Sequence, residues 1–427
     1  MPLRPLLAPP HPIDPGAFPA AVLALCERLE DTGIAAVLQG ERLVEAWLGA
    51  PAVGARAWSL VCAAQPEALL RALPAAVVTA ASAARLSQAT IAGPVDLIAT
   101  GPRDLEATLA AFGLAPLAVG FRPRDARWHA PGGVLEALAC RRFDRIPDHP
   151  NPFLGAPRRY WLAARWIAEY DLEPTPALVE AARAALPEVG ARLPEGAPAR
   201  RVLGRILDCP QPARALAFLR DSGALEHVLP GIDPGAGARI TALAEAPDSL
   251  RWAAFLRGTS TARALARLRM PTALARRIGR VLEAHPLDRT HDGARDPQLR
   301  RAMTRLSPEE LDGLIRWRCL ELDEAAATSD VQRERDRLAK VEAGIARLRS
   351  QASSQQSVRA LALGGAEVMQ RLGAGPGPWI GRALAHLARF VAADPERNTP
   401  ERLIAELREW QAGEAAESER PPKRTSS

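Results

Sequence analysis

Cysteine is sparse and unpatterned in this sequence: Cys26, Cys62, Cys140, Cys209 and Cys319 stand far apart, odd in number and with no Cys-x-x-Cys pair. That spacing supports neither a disulfide framework nor a zinc site, and its default setting is a reducing cytoplasm. Long apolar runs are missing as well. No stretch reaches about 18 uninterrupted apolar residues, and the opening MPLRPLLAPPHP puts prolines where a signal peptide needs a continuous apolar core. Neither membrane insertion nor secretion is expected. Lysine is nearly absent, Lys340 and Lys423 standing against a background of arginine. The formal net charge of +6 permits contact with nucleic acid without arguing for it, because abundant Arg, Ala, Leu and Pro together also fit a GC-rich coding bias. The sequence offers no Ser/His/Asp or Cys/His arrangement, so a hydrolase has no support. His291 and Asp292 are adjacent, but in a Gly-containing loop with no partner ligands at helical spacing, and no metal site is expected there.

What is present is length and apolar content. With 427 residues, 48% of them hydrophobic, the chain exceeds one ordinary core, and two to four packed units are expected. Short apolar runs bounded by Gly or Pro recur in the first quarter: GIAAVLQG (33–40), ARAWSLVCA (55–63), AAVVTAA (75–81) and PVDLIAT (94–100). They read as strands, and the helical pattern PEALLRAL (66–73) between them makes a small α/β unit. From about Asn151 the helical period takes over in RRYWLAARWIAEY, PALVEAARAAL, ARRVLGRIL, ARALAFLRDSG and SLRWAAFLRG. The run VQRERDRLAKVEAGIARLRS (331–350) is a charged helix, QASSQQS (351–357) reads as a linker, and the end from about Ala412 reads as disordered.

Several segments resemble the bacterial tRNA nucleotidyltransferases of class II type, the family of CCA-adding enzymes and poly(A) polymerases. The resemblance runs from about residue 20 to 411 and is densest in DPQLRRAMTRLSPEELDGLIRWRCLELD (296–323) and LGGAEVMQRLGAGPGPWIGRALAHLARFVAADPERNTPERLIAEL (363–407). WHAPGGVLEALACRRF (128–143) and ALAFLRDSGALEHVLPGI (215–232) are also similar. It implies an α+β fold, with a small nucleotidyltransferase-like α/β head followed by an all-helical neck, body and tail. The expected divisions are an N-terminal extension (1–20), a degenerate head (21–125), a neck and RNA-binding-like helical region (126–235), a helical body (236–350), a helical tail (351–411) and a disordered end (412–427).

The motifs that carry the family's chemistry are the least preserved. The family's Gly-Gly-x-x-Arg-Asp turn cradles a triphosphate on backbone N–H groups. Here the similar stretch is QGERLVEAWLG (39–49), which keeps Gly40 but has Glu41 for the second glycine and Val44 for the arginine. A carboxylate where phosphate should approach is repulsive. The family's Asp-x-Asp strand holds two magnesium ions. In this chain the aligned positions are Ala57 and Ser59, and Asp96 on a later strand is the residual acidic candidate. Of a third motif, Arg103 and Asp104 remain, with Thr108 in the family's Asn position. That pair reads first as an ordinary helix start with an acid near the positive dipole end, and second as a retained nucleotide contact. The nucleotide-selecting Glu-Asp-x-x-Arg falls on GAPRR (155–159) and leaves Arg159, with Gly155 and Ala156 where the acids would stand. A His-Asp site found in some members falls on Arg257 and Gly258.

Arginines are the candidates for RNA contact. Arg158, Arg159 and Arg165 share a helix with Trp161 and Trp166, which reads either as a basic stacking face or as core tryptophans flanked by solvated arginines. Arg263, Arg267, Arg276, Arg277 and Arg280 would track tRNA phosphates or form plain surface. The expectation is a non-catalytic, cytoplasmic, tRNA- or RNA-binding relative, with no cofactor, no metal and no membrane partner. Two alternatives stand beside it. One is an active enzyme adding CMP or AMP to RNA 3′ ends with Mg²⁺ held near Asp96. The other is a protein-interaction scaffold without RNA.

Overall fold

The computed structural model describes residues 18–48, 58–80, 84–102, 104–209, 211–291, 293–325, 328–359, 361–373, 375–393 and 395–418. Its chain contacts divide into two units, 1–283 and 284–427.

The first unit begins with α1 (Ala20–Asp31), β1 (Ala36–Gln39), α2 (Glu41–Leu48), β2 (Trp58–Cys62), α3 (Pro66–Ala72), β3 (Val77–Ala80), β4 (Arg85–Thr90), β5 (Gly93–Ala99), α4 (Leu105–Ala110), β6 (Gly120–Arg122) and β7 (Arg127–His129). The strands form one seven-stranded sheet in the order β3-β4-β5-β2-β1-β6-β7. Only the β2–β5 pair is parallel. Each of the four apolar runs singled out in the sequence contains a strand. β4, β6 and β7 were not foreseen; RLSQAT and its short successors carry polar residues that mask a period of two.

One face of the sheet packs Val37, Val61 and Ile98 against Leu105, Leu109 and Phe112 from α4 and the turn after it. On the other face Phe18 lies against Trp58 and Phe121, with ring centroids 5.7 and 5.2 Å apart. There α1 buries Val22, Leu25, Cys26 and Leu29. Burial pushes the Cys26 thiol up to about 12, with Glu30 and Glu27 adding to the rise, so it is an inert core group.

The rest of the first unit is helical: α5 (Val134–Ala139), α6 (Arg159–Glu169), α7 (Pro176–Val189), α8 (Ala197–Leu207), α9 (Pro212–Asp221), α10 (Ala224–Val228), α11 (Ala236–Ala242), α12 (Asp248–Leu256), α13 (Thr261–Arg267) and α14 (Thr272–Ala284). One short exception interrupts it, a parallel pair of β8 (Arg142–Phe143) and β9 (Glu173–Pro174). The buried aromatic centre is Phe143, Phe153, Tyr160, Trp166 and Phe218. Tyr160 keeps its hydroxyl paired there by donating to the Ala182 carbonyl at 2.5 Å.

The second unit holds α15 (Leu287–Thr290), α16 (Asp296–Arg305), α17 (Pro308–Glu324), α18 (Ser329–Arg359), α19 (Gly365–Leu372), α20 (Trp379–Ala393) and α21 (Pro400–Ser418). Ser307 starts α17 with a capping box: its hydroxyl accepts from Glu310 N at 3.2 Å and its own N–H donates to the Glu310 carboxylate at 2.9 Å. Two expectations need correction here. The Gln/Ser stretch expected as a linker continues α18, and α21 runs past 411 to Ser418. Gln and Ser carry no helix breaker, so a preceding long helix can propagate through them. Among the described residues no helix is long and apolar enough to cross a membrane.

Two glycines test the packing in opposite directions. A Cβ on Gly237 in α11 would stand 2.8 Å from the Ala213 Cα of α9, so Gly237→Ala should cost about 1–3 kcal/mol by overpacking. Gly279 in α14 meets nothing within 4 Å, and Gly279→Ala should stabilise by about 0.4–1 kcal/mol. Urea unfolding of the two variants checks both signs.

Candidate functional site

The strand register defines the site. Gln39 on β1 faces Ser59 on β2, and Ser59 faces Asp96 on β5. Ser87 extends the line on β4, and Gly120 and His129 extend it on β6 and β7. Residues paired across strands project to one face. The line is therefore a polar row, one step along the strands from apolar Val37, Val61 and Ile98, on the same face as α4. The structure thus brings two of the sequence candidates, Ser59 and Asp96, side by side, while Ala57 lies outside the described residues.

Gln39, Ser87 and His129 were missed by sequence reasoning, because membership of the row depends on pairing register, which a single sequence does not display. Gln39 is buried and its amide donates to the Leu117 carbonyl at 2.6 Å. His129 has a buried Nε2 without a partner, and burial, partly opposed by Asp125, holds its imidazole below the ordinary value. Asp96 is the only carboxylate in the row. Among the described residues no group of three or more His, Cys, Asp or Glu side chains is placed to hold a metal ion.

Beyond the row, Gly40 takes a φ of +114°, a backbone state suited to glycine, and the chain turns directly into α2. Glu41, at the start of that helix, pairs with Arg165 of α6, and both side chains are mostly covered. Arg165 also lies 3.9 Å from Glu169, whose carboxylate meets Arg205 of α8 at 2.5 Å. One turn further along α2, buried Glu45 accepts from the Tyr170 hydroxyl at 3.2 Å. Arg141 donates to the carbonyls of Tyr170, at 2.9 Å, and Leu48, at 3.2 Å. Val44, between the two glutamates, is core.

The α6 candidates resolve differently from one another. Trp161 and Trp166 are buried, so the reading of α6 as a stacking face gives way to core tryptophans; Trp161 donates its ring N–H to the Pro194 carbonyl at 2.9 Å. Arg165 is turned inward to Glu41 and not presented to solvent. Arg159 is half-buried, donates to the Pro152 carbonyl at 2.7 Å, and is held below the usual arginine range by burial and by Arg158. Arg158 is exposed at the helix start. Asp104 immediately precedes α4, and Thr108 is buried with its hydroxyl 3.5 Å from that of Thr100. Arg103 lies outside the described residues.

Of the later arginines, Arg263 on α13 and Arg276 and Arg280 on α14 are exposed, the last two a helical turn apart. Arg267 is exposed too but tied to Glu195 at 2.8 Å and to the His227 carbonyl at 3.0 Å, and Arg277 is half-buried.

No protein-family model matches the chain. It is 26% identical over 319 residues to the A-adding tRNA nucleotidyltransferase of Deinococcus radiodurans, a match that covers 63% of this chain and 71% of that protein. Among solved structures it resembles the Bacillus stearothermophilus CCA-adding enzyme in complex with CTP, with a TM-score of 0.53 at 20% identity over 93% of this chain and 98% of that one. It also resembles the Thermotoga maritima CCA-adding enzyme complexed with tRNA, with a TM-score of 0.56 at 14% identity over 91% and 95%. A strand-rich N-terminal part carrying a long helical remainder is thus the CCA-adding-enzyme fold. The sequence match, at 26% identity, is likewise to a tRNA nucleotidyltransferase.

The Glu41–Arg165 pair can be tested as a coupling. Glu41→Gln and Arg165→Ala should each destabilise by about 1–3 kcal/mol, and the double variant by clearly less than the sum. Strictly additive losses in urea unfolding would mean that the two side chains do not act on each other.

Proposed function

We propose that the chain is a non-catalytic, RNA-binding relative of the tRNA nucleotidyltransferases. The observation that carries this reading is the single carboxylate of the polar row: Asp96 has Ser59, not an acid, as its neighbour on β2. Magnesium takes oxygen ligands in near-octahedral order and leans on carboxylates for charge, and in-line transfer with two ions needs a carboxylate set that spans both. One carboxylate, two hydroxyls, an amide committed to Leu117 and an imidazole do not fit that pair of ions. The entrance turn supports the same reading, since Glu41 puts a negative charge where a triphosphate would need N–H groups and Arg165 is already engaged by it.

RNA as the ligand class is supported by the fold, by the exposed Arg263, Arg276 and Arg280, and by the relatives' names: one is named for adding A to tRNA, and another is seen with tRNA. The helical part of the first unit keeps an exposed basic surface, whereas the sheet's polar row has lost charge.

Two measurements follow. Mn²⁺ titration watched by electron paramagnetic resonance should find no tight site in the unmodified chain. Ser59→Asp, which sets a second carboxylate beside Asp96, should tighten Mn²⁺ binding by about one order of magnitude. A tight, Asp96-dependent site in the unmodified chain would favour the living enzyme. Separately, tRNA lacking its 3′ end should bind at low salt, and Arg276→Gln with Arg280→Gln should lower the salt slope by about one for each arginine removed. Absence of binding at low salt would favour the protein-interaction scaffold instead.

A further inference from the structure

The second unit contains a cavity of about 550 Å³ lined by residues 288–291, Gly293, Gln298 of α16, and Arg337 and Lys340 of α18. Its shape depends on glycine. A Cβ on Gly293 would overlap the Lys340 carbonyl and stand 2.6 Å from the Val341 nitrogen, and a Cβ on Gly344 would stand 2.8 Å from the Gly293 carbonyl oxygen. Two glycines facing each other let the loop seat directly on the backbone of α18, which brings His291 and Arg289 up to the side chains of Arg337 and Lys340.

Among the described residues the charges lining the cavity are not balanced. Asp288 is buried and spent on Arg318, with contacts of 2.7 and 3.2 Å. Arg289 is spent on Glu334, its Nε 2.9 Å from the carboxylate. Glu334 also takes Arg318 at 2.7 Å, and its carboxyl is held below the usual range first by the hydrogen bond from Arg289. Those groups neutralise one another. Arg337 and Lys340 remain, at i and i+3 on α18 and so side by side, and neither is engaged in an ion pair among the described residues. Lys340 is notable in a chain that otherwise uses arginine almost throughout. His291, half-buried, and Gln298 line the same cavity, the imidazole Nδ1 2.9 Å from the Thr290 hydroxyl.

A polar hollow lined by two cations that form no ion pair among the described residues, and by neutral hydrogen-bonding groups, suits a small anion with several oxygens. We propose that this cavity binds a phosphate group. The lysine ammonium would serve as a point charge and the guanidinium as a fork to two oxygens. The proposal does not depend on the state of the row on the sheet. The phosphate can come from either of two sources, a free phosphate such as that of a nucleotide, or a backbone phosphate of RNA.

The test uses the full chain and a variant carrying Arg337→Gln and Lys340→Gln, both exposed helix positions where the fold should hold. Binding of inorganic phosphate is followed by ³¹P NMR line broadening, and binding of a 5′-phosphorylated oligoribonucleotide by fluorescence anisotropy. Phosphate binding weakened by about tenfold or more in the variant supports a site for free phosphate. Loss confined to the oligoribonucleotide supports a backbone contact. Equal binding of both probes by the chain and the variant, or no binding of either by the unmodified chain, overturns the proposal. Gly293→Ala is the second probe. It leaves every charge in place but cannot seat the loop, so it should weaken binding like the double variant where it folds; unaltered binding would also overturn the proposal.

Discussion

The register between the parallel strands β2 and β5 is the constraint on which the chemistry of this chain turns. Once Leu60 and Leu97 pair on one face of the sheet, Ser59 and Asp96 must pair on the other, because side chains alternate along a strand. The apolar positions cannot shift to suit a metal: a slip of one residue would carry Leu60 and Leu97, both fully buried, onto the face of the polar row and Asp96 into the core they leave. The hydrophobic pattern therefore fixes which side chains meet at the row, and the substitutions at that row decide what it can hold. A neutral hydroxyl beside a carboxylate can hydrogen-bond. It supplies little of the charge that hard cations require.

The same logic runs through the turn at Gly40. A glutamate opening α2 meets the positive end of the helix and the guanidinium of Arg165, so it is well placed for the fold. Arg165, Glu169 and Arg205 then continue the alternation of charge from α6 to α8, while Glu45, Tyr170 and Arg141 fix the next turn of α2. Buried charge left unpaired is strongly destabilising, and along Glu41, Arg165, Glu169 and Arg205 each charge has an opposite neighbour. Glu41, proposed to stand in a turn that no longer takes a triphosphate, is thus the residue that ties α2 to α6.

Much of this was legible in the sequence, for identifiable reasons. The runs around Val37, Leu60, Val78 and Leu97 announced strands by their β-branched and apolar content, and the 3.6-residue period announced helices from α6 to α12. Asp96 and Ser59 could be named in advance, but that they face each other could not, since pairing partners lie 37 residues apart and register is a tertiary property. Glu41 could be singled out in the sequence; its partnership with Arg165, 124 residues away, could not. Arg165 and the α6 tryptophans misled for a physical reason: basic and aromatic residues on one helix serve equally as an RNA face or as a core edge with an internal ion pair, and only burial separates the two. The continuation of α18 through QASSQQS shows the same limit, because polar residues in a linker and polar residues on a long exposed helix look alike in composition.

The central claim is loss of nucleotidyl transfer with the fold retained. Its most direct test is incorporation of labelled CTP and ATP into tRNA lacking its 3′ end, in the presence of magnesium, by the unmodified chain and by Asp96→Ala. The account predicts no incorporation by either. Incorporation by the unmodified chain that disappears in Asp96→Ala would contradict it and establish a working metal site built around that residue.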